Sequence, residues 1–283
     1  MSAPNALYLL IDDRLKRDEL QLPGLPETAE RVRAATLDNN CSLHELAQII
    51  QHDAALSARL IRLANSAYLG GRNRAESLMQ ALTRIGLRRI RTLALAMAVE
   101  QVFLPRNDIV REFAANYVQQ TREVAAAAAI LTQQLQKLGR SHRLHPDVAL
   151  LAGMVSNIGL APVLKLVDEF DDSFANPSLI NQTMLAFGPK LGVNVLKHWQ
   201  FTPNLIKVPH YFRKSRISLM DNPEDVSYCD IVHLASLLTN NAEPEPAAMT
   251  IAEYEQCGVL PGTEFWQQDA TQQAYRQMVM LLT

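Results

Sequence analysis

Residues 148–164 read Val148-Ala-Leu-Leu-Ala-Gly-Met-Val-Ser-Asn-Ile-Gly-Leu-Ala-Pro-Val-Leu164. No stretch in the second half of the chain is as apolar, and it reads as one buried helix at the centre of the fold. Two polar residues, Ser156 and Asn157, interrupt it. Burying an unpaired hydroxyl or amide costs about 1–3 kcal/mol, so either both side chains find partners or this face lines a cavity. Gly153 and Gly159 each give up about 1 kcal/mol of helix propensity relative to Ala. What they offer instead is close approach of neighbouring helices.

Outward from this stretch, almost every segment repeats with a period near 3.6 and none alternates for long, so the fold class is all-α. Pro146 suits the first turn of the central helix, where its missing amide is no loss. Upstream, a long helix is expected over 108–138, with a mostly alanine run at 124–131 that permits packing on several sides. Ser42 and Glu45 form a capping box. Asp53 can cap the next helix, whose Leu56, Leu60, Leu63 and Ala64 share a face. Gly70-Gly71 ends that helix, and Gly86 separates a short helix from a longer one over 87–103. Downstream, helices are expected over 178–187, 189–199, 203–212 and 223–238, then two closing helices over 250–256 and 263–282. Residues 105–107 and 240–246 read as linkers.

With 283 residues, 48% of them apolar and 20% charged, the chain can bury a large core without staples. No apolar run approaches the roughly 20 residues needed to span a bilayer, and the apolar patch at 6–11 is too short for a secretory leader. A cytoplasmic protein is expected. Cys41, Cys229 and Cys257 are widely separated, which argues for reduced thiols and against a disulfide framework or a zinc knuckle. The net charge of −2 implies no polyanionic partner for the whole chain. Between Arg72 and Arg91 six arginines face a single acid, Glu76. Such a run is a phosphate-binding surface, a solvated helix face or an interface between lobes. No aromatic stacking platform is interleaved with it, so nucleic-acid binding is only an alternative.

Several residues bear chemistry. His142-Arg-Leu-His145-Pro-Asp147 has a spacing that could bind zinc, though no second ligand pair accompanies it. His198 and His233 sit in amphipathic helices, where packing is the default role. Cys229 beside Asp230 displays neither the base nor the oxyanion site that a nucleophile requires.

Two blocks carry a resemblance. The first is Leu22-Pro-Gly-Leu-Pro-Glu-Thr28, then Leu43-His-Glu-Leu-Ala-Gln-Ile-Ile50, His52-Asp-Ala-Ala-Leu56 and, most specifically, Arg59-Leu-Ile-Arg-Leu-Ala-Asn-Ser-Ala-Tyr68. The second is the central apolar stretch with Gly192, Trp199, Pro203 and His210 beyond it. Together they resemble the HDOD family, a mostly regulatory branch of the HD phosphohydrolase superfamily, over about residues 20–240. The resemblance implies a two-lobed helical HDOD fold: an extension at 1–20, an N-terminal lobe at 21–105, an HD-like lobe at 108–240 and a short helical C-terminal extension at 241–283.

The parent superfamily hydrolyses phosphate esters with divalent ions held by a His, a His-Asp pair and a later Asp. Such ligands place a metal that lowers the pKa of a bound water. Carried over by the resemblance, the first His falls at Gln120, the pair at Ser156 and Asn157, and the last Asp near Ser236. The lysine that often follows the pair falls at Leu160, and among the further histidines only His210 is in place. The resemblance thus implies a regulatory module with a degenerate metal site, no cofactor and a protein partner. Its candidate binding positions are Gln120, Ser156, Asn157, His210 and Ser236. The alternative is a phosphohydrolase with a displaced site drawn from His142, His145, Asp147 or His210.

Overall fold

The computed structural model describes residues 6–38, 40–66, 68–69, 73–140, 143–170, 174–213, 225–239, 250–260 and 262–283. The expected stop at Gly70-Gly71, Arg72, His142 and the linker at 240–246 lie outside them. Among the described residues the chain is helical with no strand, as the periodicity predicts.

The apolar patch near the N-terminus is a helix, α1 (Ala6–Lys16). It buries Leu7 and Ile11, and its Arg14 pairs with Glu169 at 2.7 Å. An N-terminal group follows: α2 (Glu27–Leu37), α3 (Leu43–Ile50), α4 (Ala54–Ala64), α5 (Leu78–Ile85) and α6 (Leu87–Ala98), which runs into a 3-10 turn, Val99–Phe103. The caps form where the sequence places them. Glu45 N donates to Ser42 Oγ at 3.2 Å while Ser42 N donates to Glu45 Oε2 at 2.7 Å, and Leu56 N donates to Asp53 Oδ1 at 2.9 Å. Gly86 takes φ +83° between α5 and α6, a conformation that glycine adopts without a Cβ penalty.

The second group is built on α7 (Asp108–Lys137), whose residues Val124 to Leu131 are all buried. Against it lies α8 (Pro146–Val155). A Cβ on Gly153 would stand 2.4 Å from the Cα of Ala125, so the two backbones touch where the glycine predicts it.

The central stretch differs from the sequence expectation: it is two helices, not one. After Val155 the chain makes a tight turn and resumes as α9 (Leu160–Val167). Within the turn, Ile158 N bonds Val155 O at 3.2 Å and Ala161 N bonds Ile158 O at 3.1 Å, i to i−3 spacings. Pro162 explains the break, since it has no N–H to reach the Ile158 carbonyl at helical spacing. The apolar length was also understated. Pro146–Val167 spans 22 residues, enough to cross a bilayer by length and composition, but it is almost wholly buried inside the fold.

The expected pair of helices at 178–187 and 189–199 is instead one, α10 (Pro177–His198), with Pro189 inside. Its apolar face continues in register through Ile180, Met184, Phe187, Leu191 and Val195. The carbonyl that Pro189 leaves unbonded belongs to Leu185, which is exposed and can be hydrated. A Cβ on Gly159 would lie 2.1 Å from Gly188 O, so the α8–α9 turn rests on the α10 backbone.

The region expected as one helix over 203–212 is two short turns, α11 (Pro203–Ile206) and α12 (Val208–Tyr211). The last helix of this group, α13 (Tyr228–Leu238), has a capping box of Ser227 and Asp230. The C-terminal extension forms α14 (Ile251–Gln256), α15 (Thr263–Gln267) and α16 (Asp269–Leu282). It docks on the rest of the fold: α16 packs on α7 and α4, and α14 on α13.

Candidate functional site

Of the positions that the resemblance singles out, Gln120, His210 and Ser236 lie on α7, α12 and α13, and Ser156 and Asn157 lie in the turn after α8; α12 and α13 both touch α8, and α13 touches α7. Their side chains turn inward to their own helices or outward to solvent. Ser156 is buried, and its Oγ donates to Gly153 O at 2.8 Å, within its own turn. Ser236 is likewise buried and donates to His233 O at 2.7 Å. Asn157 is half-buried. Gln120 is exposed on α7, while the buried neighbour is Thr121, which donates to Tyr117 O at 2.7 Å. His210, half-buried on α12, stands edge-on to Tyr211 with ring centroids 4.7 Å apart.

This donor set does not fit a divalent ion. Hard cations take carboxylate and carbonyl oxygens, and transition ions take imidazole or thiolate. The hydroxyls of Ser156 and Ser236 are spent on local carbonyls, and Gln120 faces away from the core. Among the described residues no group of three His, Cys, Asp or Glu side chains could hold a metal ion. The three cysteines are buried free thiols.

The His145-Pro-Asp147 segment has a different use. Asp147, 7% exposed, accepts two hydrogen bonds from the Arg89 guanidinium, one of them Nη2 to Oδ1 at 2.7 Å. The Tyr68 hydroxyl donates to the same Oδ1 at 2.9 Å, and the Arg89 guanidinium lies 5.7 Å from the Tyr68 ring centroid. Burial and the Asp147 charge push the Tyr68 phenol strongly upward, so it remains a donor. The backbone N–H of His145 is held by the Tyr228 hydroxyl at 3.0 Å, and the His145 ring is exposed. Asp147 is therefore a tie between the N-terminal helices and α8. This removes it from the displaced site considered from the sequence, of which His142 lies outside the described residues.

The arginine run divides accordingly. Arg89 is the tie just described. Arg84 donates to Ala64 O at 2.7 Å and to Asn65 Oδ1 at 3.1 Å, closing the turn after α4. Burial, with Arg33 nearby, pulls the Arg91 guanidinium below its usual range. Arg74 and Arg88 are exposed.

A second charged cluster went unread in the sequence. Glu100, on the 3-10 turn, is 8% exposed and accepts from Arg122 Nε at 2.7 Å and Nη2 at 2.8 Å. Arg59 reaches the same carboxylate at 3.2 Å and also donates to Met97 O and Thr283 O, each at 3.1 Å. Three elements, α4, the 3-10 turn and α7, thus share one buried carboxylate. The available signal was an acid set among apolar residues, Ala-Met-Ala-Val-Glu100-Gln-Val, since buried charges are rarely tolerated unpaired.

Several residues of the Arg59–Tyr68 signature have structural partners. Beyond Arg59 and Tyr68, Asn65 exchanges two hydrogen bonds with Ala75, at 2.7 and 2.8 Å, and Ser66 Oγ donates to Leu63 O at 2.7 Å.

Comparison with known proteins agrees with this architecture. The HDOD domain model matches residues 22–214. A solved structure from Shewanella amazonensis SB2B, assigned provisionally to the metal-dependent phosphohydrolases, is 31% identical over 100% of both chains with a TM-score of 0.85. A Geobacter sulfurreducens HDOD domain protein of unknown function is 18% identical over 99% of this chain and 98% of its own, with a TM-score of 0.61. A Marinobacter aquaeolei VT8 protein assigned provisionally to signal transduction is 20% identical over 99% of this chain and 67% of its own, also at 0.61. No curated protein matches the chain. With the family model covering well over half of its length and the Shewanella structure aligned from end to end, the chain belongs to the HDOD domain family.

Proposed function

We propose that this HDOD protein is a non-catalytic signalling or regulatory module that works by binding, with a protein as its partner. One observation supports the reading: the side-chain hydroxyls of Ser156 and Ser236, which the resemblance aligns with metal-ligand positions, bond among the described residues only to Gly153 O and His233 O, each three residues upstream. In this reading the lobes at 21–105 and 108–240 form the HDOD unit, and 241–283 is an extension that docks on it. A cytoplasmic location is part of the same proposal.

A second reading has support of its own. The Shewanella protein, 31% identical over the full chain, is assigned provisionally to the metal-dependent phosphohydrolases. We rank it second because the neutral, locally bonded side chains give a divalent ion no anionic ligands. Nucleic-acid binding ranks below both, since Arg84 and Arg89 are engaged inside the protein.

The test is direct. Purified protein is analysed for metal by mass spectrometry and assayed against phosphodiesters and cyclic dinucleotides. The proposal expects no turnover above background. Stoichiometric metal with turnover that disappears in His210→Ala would overturn it.

A further inference from the structure

Arg59, Glu100 and Arg122 line a cleft of about 310 Å³ between α4, the 3-10 turn and α7. That volume is at the lower end of small-molecule sites, roughly 300–1,000 Å³. One wall is a single stripe of α7: Arg111, Ala115, Val118 and Arg122, spaced i, i+4, i+7 and i+11. The stripe has an arginine at each end and apolar side chains between. Leu56, Met97, Phe103 and the exposed Leu104 complete the apolar lining.

Charge distinguishes this cleft from an ordinary surface groove. Three lining arginines face one lining carboxylate, Glu100. Glu100 occupies Nε and Nη2 of Arg122, while Nη1 of Arg122 makes no hydrogen bond among the described residues. Arg59 and Arg122 are only 18% and 16% exposed, so a charge set against them is screened less than one at a fully exposed arginine. Arg111, at 54%, is nearer solvent and already pairs with Asp108. An anionic head would therefore seat at the Arg59/Arg122 end, with an apolar body along Ala115 and Val118.

We infer that this cleft binds a small organic anion, a carboxylate or phosphate monoester carrying an apolar body, with Arg122 Nη1 as the principal donor to the head group. The inference does not depend on the proposed regulatory role, because the cleft shares no residue with the degenerate positions.

The experiment is calorimetric titration of the full chain with decanoate and decyl phosphate below their micellar concentrations and with decanol below its solubility limit. At least one of the two acids should bind with 1:1 stoichiometry and at least tenfold more tightly than decanol, and the stronger acid identifies the head group. Ala115→Trp fills the cleft from an exposed helix position and removes no member of the ion cluster. It should weaken binding at least tenfold with an unchanged melting temperature. Arg122→Gln should weaken acid binding at least tenfold and leave decanol unaffected. Equal affinity for decanol and the acids, undiminished binding in folded Ala115→Trp, or no acid binding at 1 mM would each overturn the inference.

Discussion

Arg89 of α6 grips Asp147 at the start of α8, with Nη2 2.7 Å from Oδ1, across 58 residues of sequence. The pair joins the N-terminal helices to the central one, and Tyr68 completes it from the end of the family signature. Removing one member of a fully buried pair costs about 3–5 kcal/mol. Arg89 is 38% exposed, which reduces that figure. Arg89→Ala and Asp147→Asn should each destabilise by about 2–3 kcal/mol, and Tyr68→Phe by about 1 kcal/mol. Urea denaturation measures all three, and a double-mutant cycle should return a coupling of at least about 1 kcal/mol for Arg89 and Asp147.

At Gly153 two effects oppose each other. Alanine would gain about 1 kcal/mol of helix propensity, but its Cβ would lie 2.4 Å from the Ala125 Cα. Backbone cannot give way as a side chain can, and overpacking of this kind costs about 1–3 kcal/mol or more. Gly153→Ala should therefore be net destabilising, by at least about 1 kcal/mol. Ala125→Gly should not rescue it, since the obstructing atom is a Cα. Rescue seen in thermal melts of the double variant would refute the contact.

The hydroxyls of Ser156 and Ser236 should matter little. Each bonds a carbonyl of its own helix, so Ser156→Ala and Ser236→Ala should each change stability by less than about 1 kcal/mol. Chemical denaturation checks this, and a loss above about 3 kcal/mol would point to a wider buried network.

A pH dependence follows from His233. Its ring is buried, Nδ1 lies 2.8 Å from the Tyr254 hydroxyl, and Nε2 has no partner among the described residues. Burial lowers its pKa below the ordinary 6.5, with Asp230 opposing the shift. Between the folded and unfolded pKa values the unfolded chain binds more protons, so stability rises with pH. This contribution is complete above about pH 6.5 and is lost as pH falls toward the folded value. His233→Gln should flatten the dependence of melting temperature on pH below about 6.5. An unchanged slope would assign the acid sensitivity elsewhere.

How much of this was legible in the sequence depends on the range of the interaction. Caps such as Ser42-Glu45, the alanine run of α7 and the close approach at Gly153 are set by neighbouring residues, so local pattern sufficed. The break after Val155 and the continuity through Pro189 were misread for one reason. A carbonyl that a proline cannot serve is satisfied by a tighter i to i−3 bond, as at Ile158, or by solvent, as at the exposed Leu185, and which of the two occurs is a tertiary fact. The site followed the same rule. The family positions could be counted along the chain, but that Gln120 faces solvent could not. Asp147 looked like part of a metal-binding triplet because its partner Arg89 lies 58 residues away. Glu100 was visible only as an acid among apolar residues, and its two arginines come from other helices.

The alanine run of α7 has a mechanical consequence. From Ala125 to Ala129 the buried surface has no side-chain torsions, so it cannot absorb a displacement by changing rotamer. A shift of α8 against it must move the α7 backbone itself, because close-packed interiors transmit strain rather than dissipate it. Arg122 stands one turn before that run on the same rigid rod. The Glu100 cluster is thus mounted, through Arg122, on the segment of the fold least able to adjust by rotamer change.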